Sequence, residues 1–201
     1  MKKSYIFILF LAVIITACTE KVQKETIAEE GKEEISNENL AGKLTLTYDS
    51  LNSVWQEMIV SDNQKFDDIR RLLLEASYTQ SYNPIALEDL QKRTNDLQAS
   101  RYVQDSMTSE QIDTYDQLSV ELLKAIFSFV QQTPDLQHHS ITNQLVTSIQ
   151  DADNEVIYFR VKYDRWTKDF NQLVVSYQDQ LQQMGEPYSS FKSKPIFSLE
   201  L

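Results

Sequence analysis

The stretch that decides the fold is ITNQLVTSIQDADNEVIYFRVKYDRWTKDFNQLVVSYQDQLQQM, residues 141–184. Apolar or aromatic residues recur along it in steps of three or four, with a mean step of about 3.6, which is the period of an α-helix. The spacing predicts one uninterrupted helix, about 65 Å long at 1.5 Å per residue. The inward-facing positions are Ile141, Leu145, Ile149, Ala152, Val156, Phe159, Tyr163, Trp166, Phe170, Leu173, Tyr177, Leu181 and Met184.

Three further helices are predicted upstream by the same criterion. The first covers about residues 40–81, the second about 84–104, and the third runs from Thr108 to just before Pro134. Asn83 is the expected N-cap of the second helix, and Thr108 with Gln111 forms the expected capping box of the third. The stripe of the third helix is predicted at Ile112, Tyr115, Leu118, Leu122, Ile126 and Phe129.

The ends of these helices predict the overall architecture. Gly185 is placed to end the long helix, and the tail EPYSSFKSKPIFSLEL (186–201) is too aromatic for a solvated terminus, so it is expected to fold back. With 3 Gly and 4 Pro in 201 residues, the chain has few turn-forming residues. We predict an all-α fold: an elongated antiparallel four-helix bundle with one very long C-terminal helix and a folded-back tail.

The N-terminus predicts a lipid anchor. Two lysines precede a short apolar run, and Ile15-Thr16-Ala17-Cys18 resembles the bacterial lipobox, in which the cysteine is acylated after cleavage. The predicted organisation is a signal peptide over 1–17, a lipidated Cys18 with a charged tether over 18–38, and a helical domain over 39–201. An uncleaved signal anchor is the alternative, and the tether could equally form a frayed start of the first helix.

The charge balance bears on partners. There are 19 Lys and Arg against 30 Asp and Glu, giving a net charge of −11. Such a surface disfavours nucleic acid and anionic lipid headgroups, so attachment is expected through the acyl chains on Cys18. The expected location is the cell membrane or outer membrane, with the domain facing the periplasm or exterior.

Several motifs resemble those of the LemA family of bacterial envelope proteins. The segment DNEVIYFRVKYDRWTKDFN (153–171) matches an acidic-Asn start, a basic stretch, a tyrosine and an Asp-aromatic-Asn end. FKSKPIF (191–197) is similar to the family's C-terminal ending, TPDL (133–136) to the turn before its long helix, and QKFDDIRRLL (64–73) to its first helix. The residues that carry the resemblance are Trp55, Asp67, Asp153, Asn154, Arg160, Tyr163, Asp169 and Asn171.

The resemblance covers about residues 44–198 and implies an all-α, envelope-attached domain. It carries over no catalytic residues to this chain. Asp68 stands where the family usually has Leu, and Arg70-Arg71 replaces a Pro-Asn pair. The lipobox replaces the transmembrane helix of many members.

The sequence offers few candidates for catalytic or ligand-binding residues. His138 and His139 are the only histidines and are expected to be solvated, and no Gly-x-Ser-x-Gly elbow is present. Asp62 falls on the apolar seam of the first helix. It could belong to a buried polar network, but the preferred interpretation is a local packing defect that is open to water. No catalytic residue, metal or cofactor is predicted.

The predicted function is a non-catalytic envelope scaffold or protein-interaction module, acting on an envelope protein or on further copies of itself. The alternative is a binding module for a small apolar or peptide ligand, held in a groove between the last helix and the tail. A hydrolase is a third hypothesis, which a lack of turnover on ester, peptide and glycoside substrates would exclude.

Overall fold

The computed structural model describes residues 35–197. The predicted signal peptide, Cys18 and most of the predicted tether lie outside the described residues. Between 35 and 197 all regular structure is helical, which confirms the all-α prediction. The elements are α1 (Asn37–Ser77), α2 (Pro84–Ala99), α3 (Ser109–Gln131), α4 (Pro134–Gln137), α5 (Ser140–Ser176), α6 (Gln178–Met184) and a 3₁₀ turn at Tyr188–Ser190.

The predicted helix starts are confirmed by their caps. The Asn83 side chain accepts from the backbone N–H groups of Ile85 and Ala86, directly before α2. Thr108 and Gln111 bond each other's backbone N–H groups in a complete capping box. Each cap satisfies donors that the first helical turn leaves free, so it fixes where the helix begins.

Most positions of the predicted apolar stripes face inward, but Ala152 and Phe159 of the long helix are only half-buried. In α1 the apolar residues at helical spacing are buried apart from the half-buried Tyr48: Leu44, Leu51, Trp55, Met58, Phe66, Ile69, Leu73 and Ala76. In α3 the prediction that Leu118 faces inward is wrong, because this residue is 42 % exposed while the neighbouring Ser119 is buried. Ser119 lies within reach of the buried amine of Lys65, so a polar contact with α1 sets the rotation of α3 at this level.

The prediction of one uninterrupted helix over 141–184 is wrong at a single residue. At Tyr177 the backbone leaves helical geometry (φ −116°, ψ 24°), which separates α5 from α6. The hydrogen bonds Tyr177 N to Leu173 O and Leu181 N to Tyr177 O remain on either side. The apolar seam therefore continues through the irregularity, and Leu181 beyond it is buried. A periodicity averaged over the whole stretch does not detect one distorted turn.

The principal packing is of α1 against α5. Hydrogen bonds join Ser61 to Glu155 and Glu57 to Lys162, and Asp68 to Ser148. Along these contacts the residue numbers on α5 decrease while those on α1 increase, so the two helices run in opposite directions there. Antiparallel order of all four long helices stays a prediction.

The C-terminal segment folds back after α6, as predicted. Gly185 ends α6 with φ of 71°, a left-handed conformation that an L side chain rarely adopts. The chain then returns along α5, and Phe197 is buried. None of the described helices combines the length and apolar character that a membrane crossing requires.

Candidate functional site

The ring of Phe197 fills an aromatic cleft built from α1, α5 and the α2–α3 connection. It lies 6.2 Å from the Trp55 ring, 5.7 Å from Tyr102 and 5.5 Å from Tyr163, measured between ring centroids. Edge-to-face and offset contacts at these distances are favourable beyond the area they bury. We call this site the tail cleft.

The tail backbone is held by two side chains of α5. Asn171 donates to the carbonyl of Lys194 at 2.7 Å and accepts from its N–H at 2.8 Å. The carboxylate of Asp164, itself 1 % exposed, accepts from the N–H of Phe197 at 2.7 Å. These bonds fix an extended segment that has no secondary structure of its own to satisfy its polar groups.

Arg160 closes one wall of the tail cleft. Its guanidinium lies 4.9 Å from the centre of the Phe197 ring, donates twice to Asp116 at 2.6 Å and donates to the Tyr102 hydroxyl at 2.9 Å. Burial alone would lower the pKa of Arg160, but the bonds to Asp116 and Tyr102 raise it above its usual value. The planar fork of arginine suits this combination of paired carboxylate and stacked ring.

A second polar cluster lies beside the first. Asp62 pairs with Lys65 at 3.2 Å and with Arg101 at 2.7 Å, and it accepts from the Tyr115 hydroxyl at 2.8 Å. Its side chain is 11 % exposed, so the preferred interpretation of Asp62 as a defect open to water is wrong. Three donors from three elements satisfy the carboxylate, and Asp62 belongs to the buried polar network that was the other alternative.

The two clusters adjoin, because Tyr102 of the first packs edge-on against Tyr115 of the second at 5.4 Å, and together they are called the ion-pair network. Lys65 also pairs with Asp153 on α5 at 3.2 Å. The ion-pair network thus contains three cations and three carboxylates: Lys65, Arg101, Arg160, Asp62, Asp116 and Asp153. Each charge has an opposite partner, so the network as a whole is electrically balanced.

Three tyrosines of this region have raised pKa values. Burial is the main cause for Tyr102, Tyr115 and Tyr163, because a phenolate would lose its hydration there. For Tyr115 the negative charge of Asp62 adds to the effect of burial. The hydroxyls of these three residues are therefore held in the neutral form at ordinary pH.

The structure brings together half of the motif residues named from the sequence. Trp55, Arg160, Tyr163 and Asn171 all surround the tail, and Asp153 pairs with Lys65. The remaining three, Asp67, Asn154 and Asp169, are exposed. Asp67 is bound only to Arg70 within its own helix, at 3.1 Å.

Sequence reasoning missed several members of the site: Tyr102, Lys65, Arg101, Asp116 and Asp164. Asp116 and Tyr102 lie 44 and 58 residues from Arg160, so no local spacing connects them. Asp164 directly follows the seam residue Tyr163, and a helical pattern places it at the edge of the buried face. The N–H of Phe197 in the returning tail is one of the groups that satisfy this buried carboxylate.

Among the described residues, a groove and a cavity lie outside this network. One is an open groove of about 950 Å³ between α1 and α5, hereafter the α1–α5 groove. The other is a cavity of about 240 Å³ between the α5–α6 junction and the returning tail, bordered by Val174, Leu181, Tyr188 and Phe191. The second surface lies where a groove between the last helix and the tail was predicted.

Residues with metal-binding or catalytic potential are dispersed. His138 and His139 are both exposed, as predicted, and Asp135 accepts instead from Ser81 at 2.8 Å. Within residues 35–197 no group of three or more His, Cys, Asp and Glu side chains could hold a metal ion.

The comparisons with known proteins give one match. No curated protein and no solved structure matches the chain. The model of the LemA family matches residues 54–200, a range that contains the tail cleft, the ion-pair network and the α1–α5 groove. The resemblance in the helical and C-terminal motifs is thereby confirmed, and the chain belongs to the LemA family.

Proposed function

We propose that this protein is a lipid-anchored, extracytoplasmic helical domain that acts without catalysis, as a scaffold or interaction module in the cell envelope. The observation that carries the proposal is the α1–α5 groove, an open surface of about 950 Å³ along the two longest helices. A concave, partly apolar surface of this kind on a stable domain is typical of a site for another molecule.

The paired state of the charged groups supports a non-catalytic role. Catalytic sites commonly keep a titratable group available in a cleft. Here the carboxylates of the ion-pair network are bound to lysine, arginine or tyrosine, and the tail covers Arg160. A balanced network of this type stabilises one arrangement of helices and tail.

The anchor is proposed from the lipobox. Replacing Cys18 by Ser in cells grown with radiolabelled palmitate should abolish labelling and release the protein from the membrane fraction. A labelled, membrane-bound Cys18→Ser protein would contradict acylation at this residue. Fractionation of the two membranes, where a cell has both, would then identify the one that receives the anchor.

The interaction role is tested by photocrosslinking of the full-length chain in cells. A photoreactive amino acid at Val60, which is 66 % exposed in the groove, should crosslink one abundant envelope protein. The matched control is Ile85 on α2, which is 81 % exposed and remote from the groove. Equal recovery from both positions, or none from Val60, would contradict a groove-based interaction.

A second candidate function is binding of a small apolar ligand in the cavity of about 240 Å³ beside the tail. The valine, leucine and aromatic side chains on its border support this alternative, although Gln178, Gln182, Lys192 and Ser193 also border the cavity. Val175 also borders the cavity and is 68 % exposed, so Val175→Trp would fill the space without opening the core. An apolar fluorescent dye should bind the wild-type protein and not this variant. Unchanged dye binding would reject the alternative.

A further inference from the structure

The α1–α5 groove runs along the two helix axes, and its α5 wall is longer than its α1 wall, which spans about 10 Å. Its α5 wall runs from Asn143 to Phe159, and its α1 wall from Glu57 to Gln64. At 1.5 Å per residue the α5 wall is about 24 Å long, the length of a helix of about 16 residues. Ala152 and Ser148 contribute small side chains to the α5 wall.

The groove is on the uncovered side of the α1–α5 pair. On α5, Asp153 and Arg160 point to the ion-pair network and α3, whereas Asp151 and Glu155 line the groove. These two pairs of residues alternate along the same helix and so occupy different faces of it. Among the described residues, the other side of the pair already carries α3 and the tail, and the groove is the position that one more helix would fill.

The ionisable residues that line the groove are all acidic. They are Glu57, Asp151 and Glu155, and the amides of Gln64, Asn143 and Gln144 lie among them. Lys162 at the margin pairs with Glu57 at 3.1 Å, and Ser61 donates to Glu155 at 3.3 Å. Asp151 and Glu155 are exposed and therefore keep capacity to accept from an incoming cation.

The groove also offers apolar contact. Val60 is 66 % exposed within it, and the ring of Phe159 and the methyl group of Ala152 lie alongside. An occupant therefore needs an apolar face toward the groove and positive charge at its edges. Helix-in-groove binding by an amphipathic helix meets both requirements.

We propose that the α1–α5 groove binds a basic amphipathic helix of a partner protein. The proposal rests on the interaction role proposed above and names the surface and the chemistry of the partner. A second copy of this chain is a poorer occupant, because its net charge of −11 would bring like charge to an acidic groove. Carboxylates at the groove would instead steer and orient a cationic helix.

The test uses the full-length lipidated protein in neutral detergent micelles. The probe is a fluorescein-labelled synthetic helix of lysine, leucine and alanine, about 16 residues long, with its lysines along the margins of an apolar face. A second peptide carries glutamate in place of every lysine, and micelles without protein give the background. We expect saturable binding of the lysine peptide that weakens with salt, and none of the glutamate peptide.

Two groove variants and one control make the test specific. Asp151→Lys combined with Glu155→Lys should weaken binding of the lysine peptide about tenfold, a change equivalent to about 1.4 kcal/mol. Ala152→Trp, which fills the groove without changing charge, should abolish binding. Glu88→Lys combined with Glu121→Lys changes the net charge equally on exposed positions of α2 and α3, and should bind within about twofold of wild type. Circular dichroism melts establish that each variant is folded.

The outcomes separate this proposal from the function on which it rests. If the lysine peptide does not bind wild type, or binds both charge-reversal variants equally, the basic helix is the wrong occupant. If crosslinking from Val60 still captures an envelope protein in that case, the interaction role survives. A crosslink from Val60 to another copy of this chain would overturn the proposal in favour of self-assembly.

Discussion

The two sides of the α1–α5 pair are built on opposite principles. One side is covered by α3 and the tail, and its charges are paired: the side chain of Arg160 is 6 % exposed, and that of its partner Asp116 is 42 % exposed. The other side is the α1–α5 groove, where Asp151 and Glu155 face solvent. On the covered side the polar groups bond to other residues of the chain, while on the open side Asp151 and Glu155 can bond to another molecule.

This difference separates stability from binding within one helix pair. Truncating a buried, hydrogen-bonded group costs the contacts it made and leaves its partners unsatisfied. Changing an exposed side chain away from such contacts usually costs less than about 0.5 kcal/mol. Substitutions on the covered side should therefore destabilise the domain, and substitutions in the groove should change binding alone.

Alkaline pH should have the largest effect, because it acts on several groups of the covered side together. Burial raises the pKa of Tyr102, Tyr115 and Tyr163 above the solvated value of about 10. The unfolded chain therefore loses these protons first, so their contribution is complete below about pH 10 and is lost as pH rises toward the folded values. We expect cooperative unfolding above about pH 10, with loss of the helical circular dichroism signal together with the rise of tyrosinate absorbance.

The control for this titration is Tyr163→Phe, which removes one ionisable group and keeps the ring. Its alkaline transition should move to higher pH. A transition that moves to lower pH, or tyrosinate absorbance that rises fully before the helices melt, would show that these tyrosines do not couple ionisation to folding.

Removing the ring that fills the tail cleft should have the next largest effect. Phe197→Ala deletes contacts with Trp55, Tyr102, Tyr163 and Arg160 and leaves a cavity, so we expect a loss of about 3–5 kcal/mol in the free energy of unfolding. Urea denaturation followed by circular dichroism measures it.

Tyr158→Ala is the matched control, since this aromatic residue of α5 is 62 % exposed. It should cost less than about 1 kcal/mol. Equal losses in the two variants would mean that the tail does not contribute specifically to stability, and the contrast between the two sides would disappear.

Breaking the ion-pair network should destabilise the domain less than removing the Phe197 ring. Arg160→Met keeps an unbranched apolar side chain but removes the two bonds to Asp116 and the one to Tyr102. Because the side chain of Asp116 is 42 % exposed, water can solvate it in the variant, and we expect a loss of about 2 kcal/mol. Arg165→Met, an exposed change on the same helix, should be near neutral by the same denaturation experiment. A neutral Arg160→Met would show that hydration replaces the network at no cost.

The tail's backbone bonds provide a comparison between two residues of the family motif. Asn171→Ala removes both bonds to Lys194 and should cost about 1–2 kcal/mol. Asn154→Ala, at an exposed motif position, should cost much less. Thermal melts of the pair, with limited proteolysis at the tail, would measure both. Equal stability of the two variants would refute the distinction that the structure makes between these asparagines.

The contrast between the sides also explains what the sequence could predict. Local signals were reliable: the cap at Asn83, the capping box at Thr108 and the turn at Gly185 depend on neighbouring residues, and all are confirmed. The fold-back of the tail followed from its aromatic content, and Phe197 is buried. The mean apolar spacing over 141–184 predicts the long helical seam but does not detect the distortion at Tyr177.

Local sequence signals could not predict ion pairs between residues that are far apart in the chain. The sequence favours a packing defect at Asp62, because its partners Arg101 and Tyr115 come from elements far along the chain. The sequence likewise marked Arg160 but not its partner Asp116. A charge on an apolar seam has no local explanation, since the opposite charge that justifies its burial is supplied by the tertiary fold.

The smallest expected effect on stability is in the groove. Asp151→Asn combined with Glu155→Gln removes two exposed charges and should change the free energy of unfolding by less than about 0.5 kcal/mol. The same variant should bind the lysine peptide more weakly than wild type, because neutral amides no longer attract a cationic helix. Urea denaturation and peptide titration on one preparation measure both quantities. A loss of more than about 1 kcal/mol in stability would place these carboxylates among the groups that hold the fold, and the open side would then differ from the covered side only in exposure.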